Sequence, residues 1–284
     1  MNRLVLFFLL LLFATSTPVS ADDRTVFFIL PEGTPFTRPT LESDRNVDIQ
    51  LQFAAEMRVL WKAEIDGIQW YRCYNNERFF YLPEMFVGEY PDRVRLDHNG
   101  NIEMGLSKVD KKHAVPLDYM PDDLVPVPDT YKAEGYDWRD MVLRREALKV
   151  FERLIDHAEH DGVHIRILSA FRDAEYQSNL YARALRRHGL FQNSVAKPGY
   201  SEHQLGTCCD LTSSEINSGL SKSFDTTIAY QWLKYHATNY GISLSYPKFK
   251  VEVTGYIYEP WHYRYMGKDR WLALDSKPKS FYTR

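Results

Sequence analysis

The sequence predicts an α+β protein in two parts: a small β-barrel, then a larger domain with a small antiparallel sheet and flanking helices. Three observations lead there. Between residues 25 and 95, short apolar stretches alternate with turn-forming residues, whereas from Asp140 onward apolar residues recur at three- and four-residue spacing. Helical and strand-like stretches then mix without the regular β-α-β succession of a parallel sheet. Aromatic residues make up 14% of the 284 positions, enough apolar surface for a sizeable core.

The elements follow in chain order. Arg3 precedes an unbroken apolar run from Leu4 to Phe13, and small residues close the segment at Val19-Ser20-Ala21. A positive start, a short apolar stretch and small residues before a cut make residues 1–21 an expected export signal, too short to span a bilayer. No later stretch is long and apolar enough to cross a membrane, so the mature chain is expected in the periplasm or cell envelope without a stable span. Strands are expected at Thr25–Leu30, Ile49–Phe53, Met57–Ile65, Gln69–Tyr74 and Phe79–Val87, with turns at Pro31, Gly33, Asp66-Gly67 and Asn75-Asn76. Residues 22–95 thus form the barrel. The polar segment 96–114, with Asn99-Gly100-Asn101 and a charged run at its end, is an expected linker.

The second domain is expected over 115–273, followed by a tail at 274–284. Pro116, Pro121, Pro126 and Pro128 give it an extended beginning. Leu143, Ala147, Phe151, Leu154 and Ala158 then mark a helix that stops at Gly162, and Val163, Ile165 and Ile167 alternate as a strand. A second helix runs from an Asp173 cap to Gly189. A short strand near Thr207–Thr212, a third helix from Thr227 to Tyr240 ending at Gly241, and a strand from Ile242 to Tyr246 complete the pattern.

Composition excludes some functions. With 35 Lys and Arg against 38 Asp and Glu, a net charge of −3 and no long run of one sign, the chain offers no basic face for nucleic acid. Cys73, Cys208 and Cys209 are too few for a disulfide scaffold, although one bridge from Cys73 stays open in an oxidising compartment.

Reactive side chains concentrate in three stretches: Ser169-Ala170-Phe171-Arg172 with Gln177, the run from Ser201 to Asp210, and Glu259-Pro260-Trp261-His262. A catalytic zinc ion needs three protein ligands and one open position, and His203, Asp210 and His262 can supply imidazole nitrogens and a carboxylate oxygen. Gly206 permits the close turn that returns the chain from His203 to Asp210. Pro260 opposes a helix through Glu259 and His262, so an extended segment can present one side chain to metal and the other to an activated water. Glu259 is then the general base and acid. The planar fork of Arg172 suits a terminal carboxylate or an oxyanion, and Gln177 and Ser201 can donate hydrogen bonds to that carboxylate. Cys208 and Cys209 read as small buried side chains pointing to opposite faces of a strand.

Two resemblances add to these readings. The order Val59 to Ala63, Asp66 to Arg72, Phe80 to Leu82 resembles bacterial Src-homology-three-like domains. That likeness leaves open whether the barrel grips wall polymer or simply packs on the second domain. The second domain, from Pro116-Leu117 to Gly267, resembles the zinc D-alanyl-D-alanine carboxypeptidase family, which includes vancomycin-resistance D,D-carboxypeptidases and related L,D-carboxypeptidases. The family's Ser-x-His-x-x-Gly-x-x-x-Asp pattern falls on Ser201, His203, Gly206 and Asp210, its Glu-x-Trp-His pattern on Glu259, Trp261 and His262, and its Ser-x-Tyr-Arg pattern on Ser169 and Arg172, with Phe171 in the Tyr position. Relatives carry small or aliphatic residues where this chain has Cys208 and Cys209. The resemblance implies one zinc ion on His203, Asp210 and His262, Glu259 as base, and hydrolysis before a C-terminal D-alanine of peptidoglycan stem peptides. An L,D-carboxypeptidase, a crosslink endopeptidase and a non-catalytic wall-binding protein are the alternatives.

Overall fold

The computed structural model describes residues 24–75, 78–90 and 108–267. The expected export signal, most of the expected linker and the tail at 274–284 lie outside the described residues. The N-terminal unit comprises β1 (Thr25–Phe28), β2 (Glu32–Gly33), β3 (Leu51–Gln52), β4 (Glu56–Ile65), β5 (Ile68–Asn75), β6 (Arg78–Pro83) and β7 (Val87–Gly88). Five strands form an antiparallel sheet in the order β6-β5-β4-β1-β7, and β2 pairs with β3. Asp66 and Gly67 both have positive φ (52° and 73°), the two-residue turn that matches the twist of hairpin β4–β5. Val26, Phe28, Met57, Trp70, Cys73, Phe80 and Leu82 are buried in the core of this unit. The outer strands β6 and β7 are not hydrogen-bonded to each other among the described residues, so this unit is a curled open sheet rather than a hydrogen-bonded closed barrel.

The second unit begins where a linker was expected. Val109 and Val115 are buried with Leu205, because these apolar side chains gain more by packing than a solvated segment would. A strand pair then forms from β8 (Leu124–Pro126) and β9 (Val142–Arg144), within the stretch expected to be merely extended. Helix α1 (Arg145–His160) buries Ala147, Leu148, Phe151, Leu154, Ile155 and Ala158 along one stripe and ends before Gly162, whose φ is 75°. After β10 (Arg166–Ser169) comes α2 (Ala174–His188), whose Asp173 cap accepts from the Tyr176 N–H at 2.7 Å. Then follow β11 (Cys208–Thr212), α3 (Ile228–His236) with a tight final turn to Tyr240, β12 (Ile242–Leu244), the short α4 (Val251–Thr254) and β13 (His262–Tyr265).

Four strands form an antiparallel sheet in the order β10-β11-β13-β12. One face carries Ile167, Cys209, Leu211, Tyr263 and Tyr265 into the core made with α1 and α3, where Phe151 and Trp232 are fully enclosed. The other face carries the polar side chains described below. The two units share a packed seam. Tyr181 and Leu185 of α2 belong to the apolar core of the N-terminal sheet, and the Ser178 hydroxyl donates to the Ile29 carbonyl at 2.7 Å. The loop after α2 is pinned to the same sheet: the Lys197 amine donates to the Glu84 and Val87 carbonyls, Tyr90 donates to the Pro198 carbonyl, and Tyr200 to that of Glu89.

Candidate metal centre and active site

Sheet register assembles the centre. Ser169 lies opposite Asp210, and Asp210 lies opposite His262, so three side chains from three adjacent strands share a row and a face. The next row is Cys208, Arg264 and Ser243. His203 arrives from outside the sheet. It sits in a tight turn over Glu202–Leu205, capped by Ser201, whose hydroxyl accepts from the His203 N–H. Gly206 then reverses the chain with φ of 69°, and a Cβ there would press within 3.0 Å of Arg144 Cγ. This requirement for a left-handed, side-chain-free turn explains how His203 and Asp210 return to one point.

Each imidazole is oriented from behind. His203 Nδ1 donates to the Ala170 carbonyl at 2.5 Å, which leaves Nε2 as the lone-pair nitrogen. His262 Nε2 donates to Glu202 Oε2 at 2.9 Å, which turns Nδ1 inward. His203 Nε2 lies 3.3 Å, and His262 Nδ1 3.2 Å, from the same Asp210 oxygen, Oδ1. A tetrahedral ion with bonds of about 2.0–2.1 Å spaces its ligands about 3.3 Å apart. His203 Nε2 is moreover buried with no hydrogen bond. The spacing and that nitrogen both fit a divalent cation. The thiol of Cys208 also faces the pair, its sulfur and the two imidazole nitrogens lying within 4.8 Å of one another. Cys73, Cys208 and Cys209 are all free and buried, so the bridge left open from the sequence does not form.

The electrostatics follow from burial and neighbours. Burial raises the Asp210 carboxyl, but His203, His262 and Arg172 outweigh it and hold Asp210 well below the usual range. Burial opposes charge on His262, yet Cys208, Asp210 and Glu202 around it raise it well above an ordinary histidine. Glu259 differs. Its Oε2 lies 3.9 Å from His262 Nδ1, and burial pushes its carboxyl up to about 7. Proton exchange near neutrality is what a general acid–base group requires.

Arg172 sits between Asp210 and α2. It donates through Nη1 to the Ser169 hydroxyl at 3.0 Å and through Nε to Gln177 Oε1 at 3.1 Å, with Asp210 Oδ2 3.5 Å from Nη1. Gln177 is buried; its carbonyl accepts from Arg172 and its amide donates to the Ala196 carbonyl at 2.9 Å. Those engagements set the angle of Arg172 and commit one of the two amide protons of Gln177, which itself lines the cleft. Arg172, Ser201, His203, Asp210, Glu259 and His262 line one cleft of about 240 Å³, closed on one side by Tyr246, Tyr256 and Trp261.

Sequence reasoning missed Glu202. It is buried and receives His262 Nε2 on one oxygen and Arg264 Nη1 on the other, both at 2.9 Å. Burial raises its carboxyl, but Arg264 and His262 bring it down to about 2. A signal was available: Arg264 stands two residues after His262, hence on the same strand face, and a buried arginine there requires a buried acid.

Comparisons with known proteins agree with this architecture. The family model for VanY, D-alanyl-D-alanine carboxypeptidase, matches residues 140–268. The chain is 34% identical over 191 residues to YodJ of Bacillus subtilis (strain 168), a carboxypeptidase by name, covering 66% of this chain and 70% of that one. It is 33% identical over 166 residues to the bifunctional D-Ala-D-Ala dipeptidase and D-Ala-D-Ala carboxypeptidase VanXYC of Enterococcus gallinarum, covering 57% of this chain and 83% of that one. Among solved structures, the LdcB LD-carboxypeptidase, whose structure is described as revealing the molecular basis of peptidoglycan recognition, matches with a TM-score of 0.57 and 30% identity over 66% of this chain and 86% of its own. The chain therefore belongs to the VanY family of D-alanyl-D-alanine carboxypeptidases.

Proposed function

We propose that this chain is an exported, zinc-dependent D,D-carboxypeptidase that removes the C-terminal D-alanine of peptidoglycan stem peptides. The observation that carries the reading is the convergence of His203 Nε2 and His262 Nδ1 on Asp210 Oδ1 at 3.3 and 3.2 Å, with the raised carboxyl of Glu259 beside them. His203, Asp210 and His262 would hold one ion, which when bound would supply Lewis-acid polarisation of the scissile carbonyl and activation of water. Glu259 takes the proton of the attacking water and hands it to the departing amine, a role suited to a carboxyl near 7. Arg172 meets the substrate's terminal carboxylate or the developing oxyanion, held at its angle by Gln177 and Ser169, and Ser201 donates to the same carboxylate. Glu202 keeps the His262 ring in place from behind.

The pattern of residues 1–21 supports export to the periplasm. Among the described residues no helix is long and apolar enough to cross a membrane. We read residues 22–95 as a unit that supports the catalytic domain, its likeness to Src-homology-three-like modules resting on the sequence order alone.

A second reading, L,D-carboxypeptidase action on tetrapeptide stems, is favoured by the likeness to LdcB. Mass spectrometry of pentapeptide and tetrapeptide stems after incubation, with and without a chelator, separates the two. Loss of one D-alanine from the pentapeptide, stopped by chelation, is expected. Cleavage of the tetrapeptide alone would transfer the assignment to the L,D class, and intact peptides with metal-loaded protein would reject both.

A further inference from the structure

A second cavity of about 270 Å³ opens beside the catalytic cleft and shares Val195, Ala196 and Tyr256 with it. Its far wall is not catalytic domain: Glu84 and Met85 come from the N-terminal unit, facing Tyr181, Gln192, Lys197 and Lys111. The seam is built rather than incidental, since the Lys197 amine donates to the carbonyls of Glu84 at 2.7 Å and Val87 at 3.2 Å. An ammonium has three protons, and these carbonyls take two of them. Lys111 extends over the Tyr256 ring, its amine 5.1 Å from the ring centre. Among the described residues neither lysine lies within ion-pair distance of a carboxylate. The Tyr200 and Tyr256 hydroxyls already donate to the carbonyls of Glu89 and Tyr200, so the attraction of this space for an anion comes from two ammonium groups set against the single carboxylate of its lining, Glu84.

We propose that this second cavity is a substrate subsite, shared by the N-terminal unit and the catalytic domain, for a carboxylate-bearing residue on the acyl side of the scissile bond. The proposal rests on the carboxypeptidase reading: a substrate cut at its last residue has nothing beyond its terminal carboxylate, so any chain filling a neighbouring space belongs to the acyl side. The N-terminal unit thereby selects substrate, by supplying one wall of the subsite and by pinning, through Lys197, Pro198 and Tyr200, the loop whose Val195 and Ala196 the two cavities share.

The test compares two synthetic stem peptides ending in D-Ala-D-Ala, identical except that one carries a free upstream carboxylate and the other its carboxamide. The full chain is expected to favour the free carboxylate by about tenfold in kcat/KM, the order of one charge-assisted contact. Lys111→Glu, a change on an exposed side chain outside the seam, is expected to erase or invert that preference, and Lys197→Met to reduce it. Calorimetry of both peptides on Glu259→Gln protein and on the same protein with Lys111→Glu reads the subsite without turnover. A wild-type chain indifferent to the carboxylate, or a preference that survives Lys111→Glu, overturns the proposal. Absence of D-alanine release from both peptides, with carboxylate-dependent binding that Lys111→Glu abolishes, would instead overturn the carboxypeptidase reading and leave the anion subsite standing.

Discussion

Cys208 and Cys209 are neighbours on β11, both wholly buried, yet their surroundings differ completely. Cys209 points with Leu211 into the apolar core under α1 and α3, and burial, reinforced by the negative charges of Cys208 and Asp210, holds its thiol well above the ordinary value. Cys208 points with Asp210 to the other face; burial raises its thiol too, but His203 and His262 more than offset this and bring it to about 7. Burial is therefore not what separates a structural face from a chemical one. The difference lies in partners: one face replaces lost hydration with apolar contacts, the other with opposed charges of Asp210, Glu202, Arg172, Arg264 and His262, set around the lone-pair nitrogen of His203 that a cation would take up.

The strongest test of that separation removes the one chemical group that contributes little to the charge set. Glu259→Ala is expected to lower kcat by about 10²–10⁴ while elemental analysis still finds the metal, because Glu259 lies outside the proposed ligand trio. Turnover at the wild-type level would refute its role. The complementary change is Leu211→Ala on the opposite face, which leaves a cavity and should cost about 2–5 kcal/mol in urea unfolding. Its folded fraction should turn over at the wild-type kcat. If kcat fell as far as in Glu259→Ala, the two faces could not be treated as separate.

The structural face was the more legible in sequence. Helix α1 announced itself by apolar spacing, and Asp173, Gly189 and Gly241 punctuated α2 and α3, because capping and periodicity are local signals. The ligand positions were legible only through the short motifs, since nothing local says that Ser169, Asp210 and His262 fall in one row. Strand pairing across long separations decides that. The same non-locality hid the pairing of β8 with β9, where Pro126 and the surrounding prolines read as loop. It also hid the seam: Tyr181 and Leu185 lie on a helix whose partner is a sheet far earlier in the chain, between Thr25 and Gly88. Gln177 was assigned to substrate because its type permits it, and only three-dimensional neighbours show that Arg172 and Ala196 engage its amide.

Glu202 sharpens the comparison at intermediate size, since it is a buried acid behind the His262 ring that does not line the cleft. Glu202→Gln should weaken metal binding by about 10–100-fold, the usual consequence of losing a carboxylate behind a ligating imidazole, measured by competition with a chromogenic chelator. Its carboxyl is depressed in the fold to about 2 from an ordinary 4.5. A depressed carboxyl contributes stability that is full above 4.5 and is lost as pH falls towards 2. Wild-type unfolding free energy should thus decline across that window, and the Gln variant should decline less. Parallel curves would show that Glu202 contributes nothing there.

The smallest effects are expected from the cysteines themselves, and they decide what the Cys208 thiol does. A catalytic site keeps one position open, so if His203, Asp210 and His262 are the protein ligands, a thiolate beside them would fill the place that water and substrate need. Cys208→Ala should then change turnover by no more than about threefold and metal affinity by less than about tenfold, whereas Cys209→Ala should cost about 1 kcal/mol of stability as a small loss of packed volume. A hundredfold loss of metal affinity in Cys208→Ala would mean that the sulfur is a ligand and that the row of Asp210 and His262 does not define the ion's surroundings by itself. The two adjacent thiols, alike in burial, would then differ not only in partners but in whether they hold the metal.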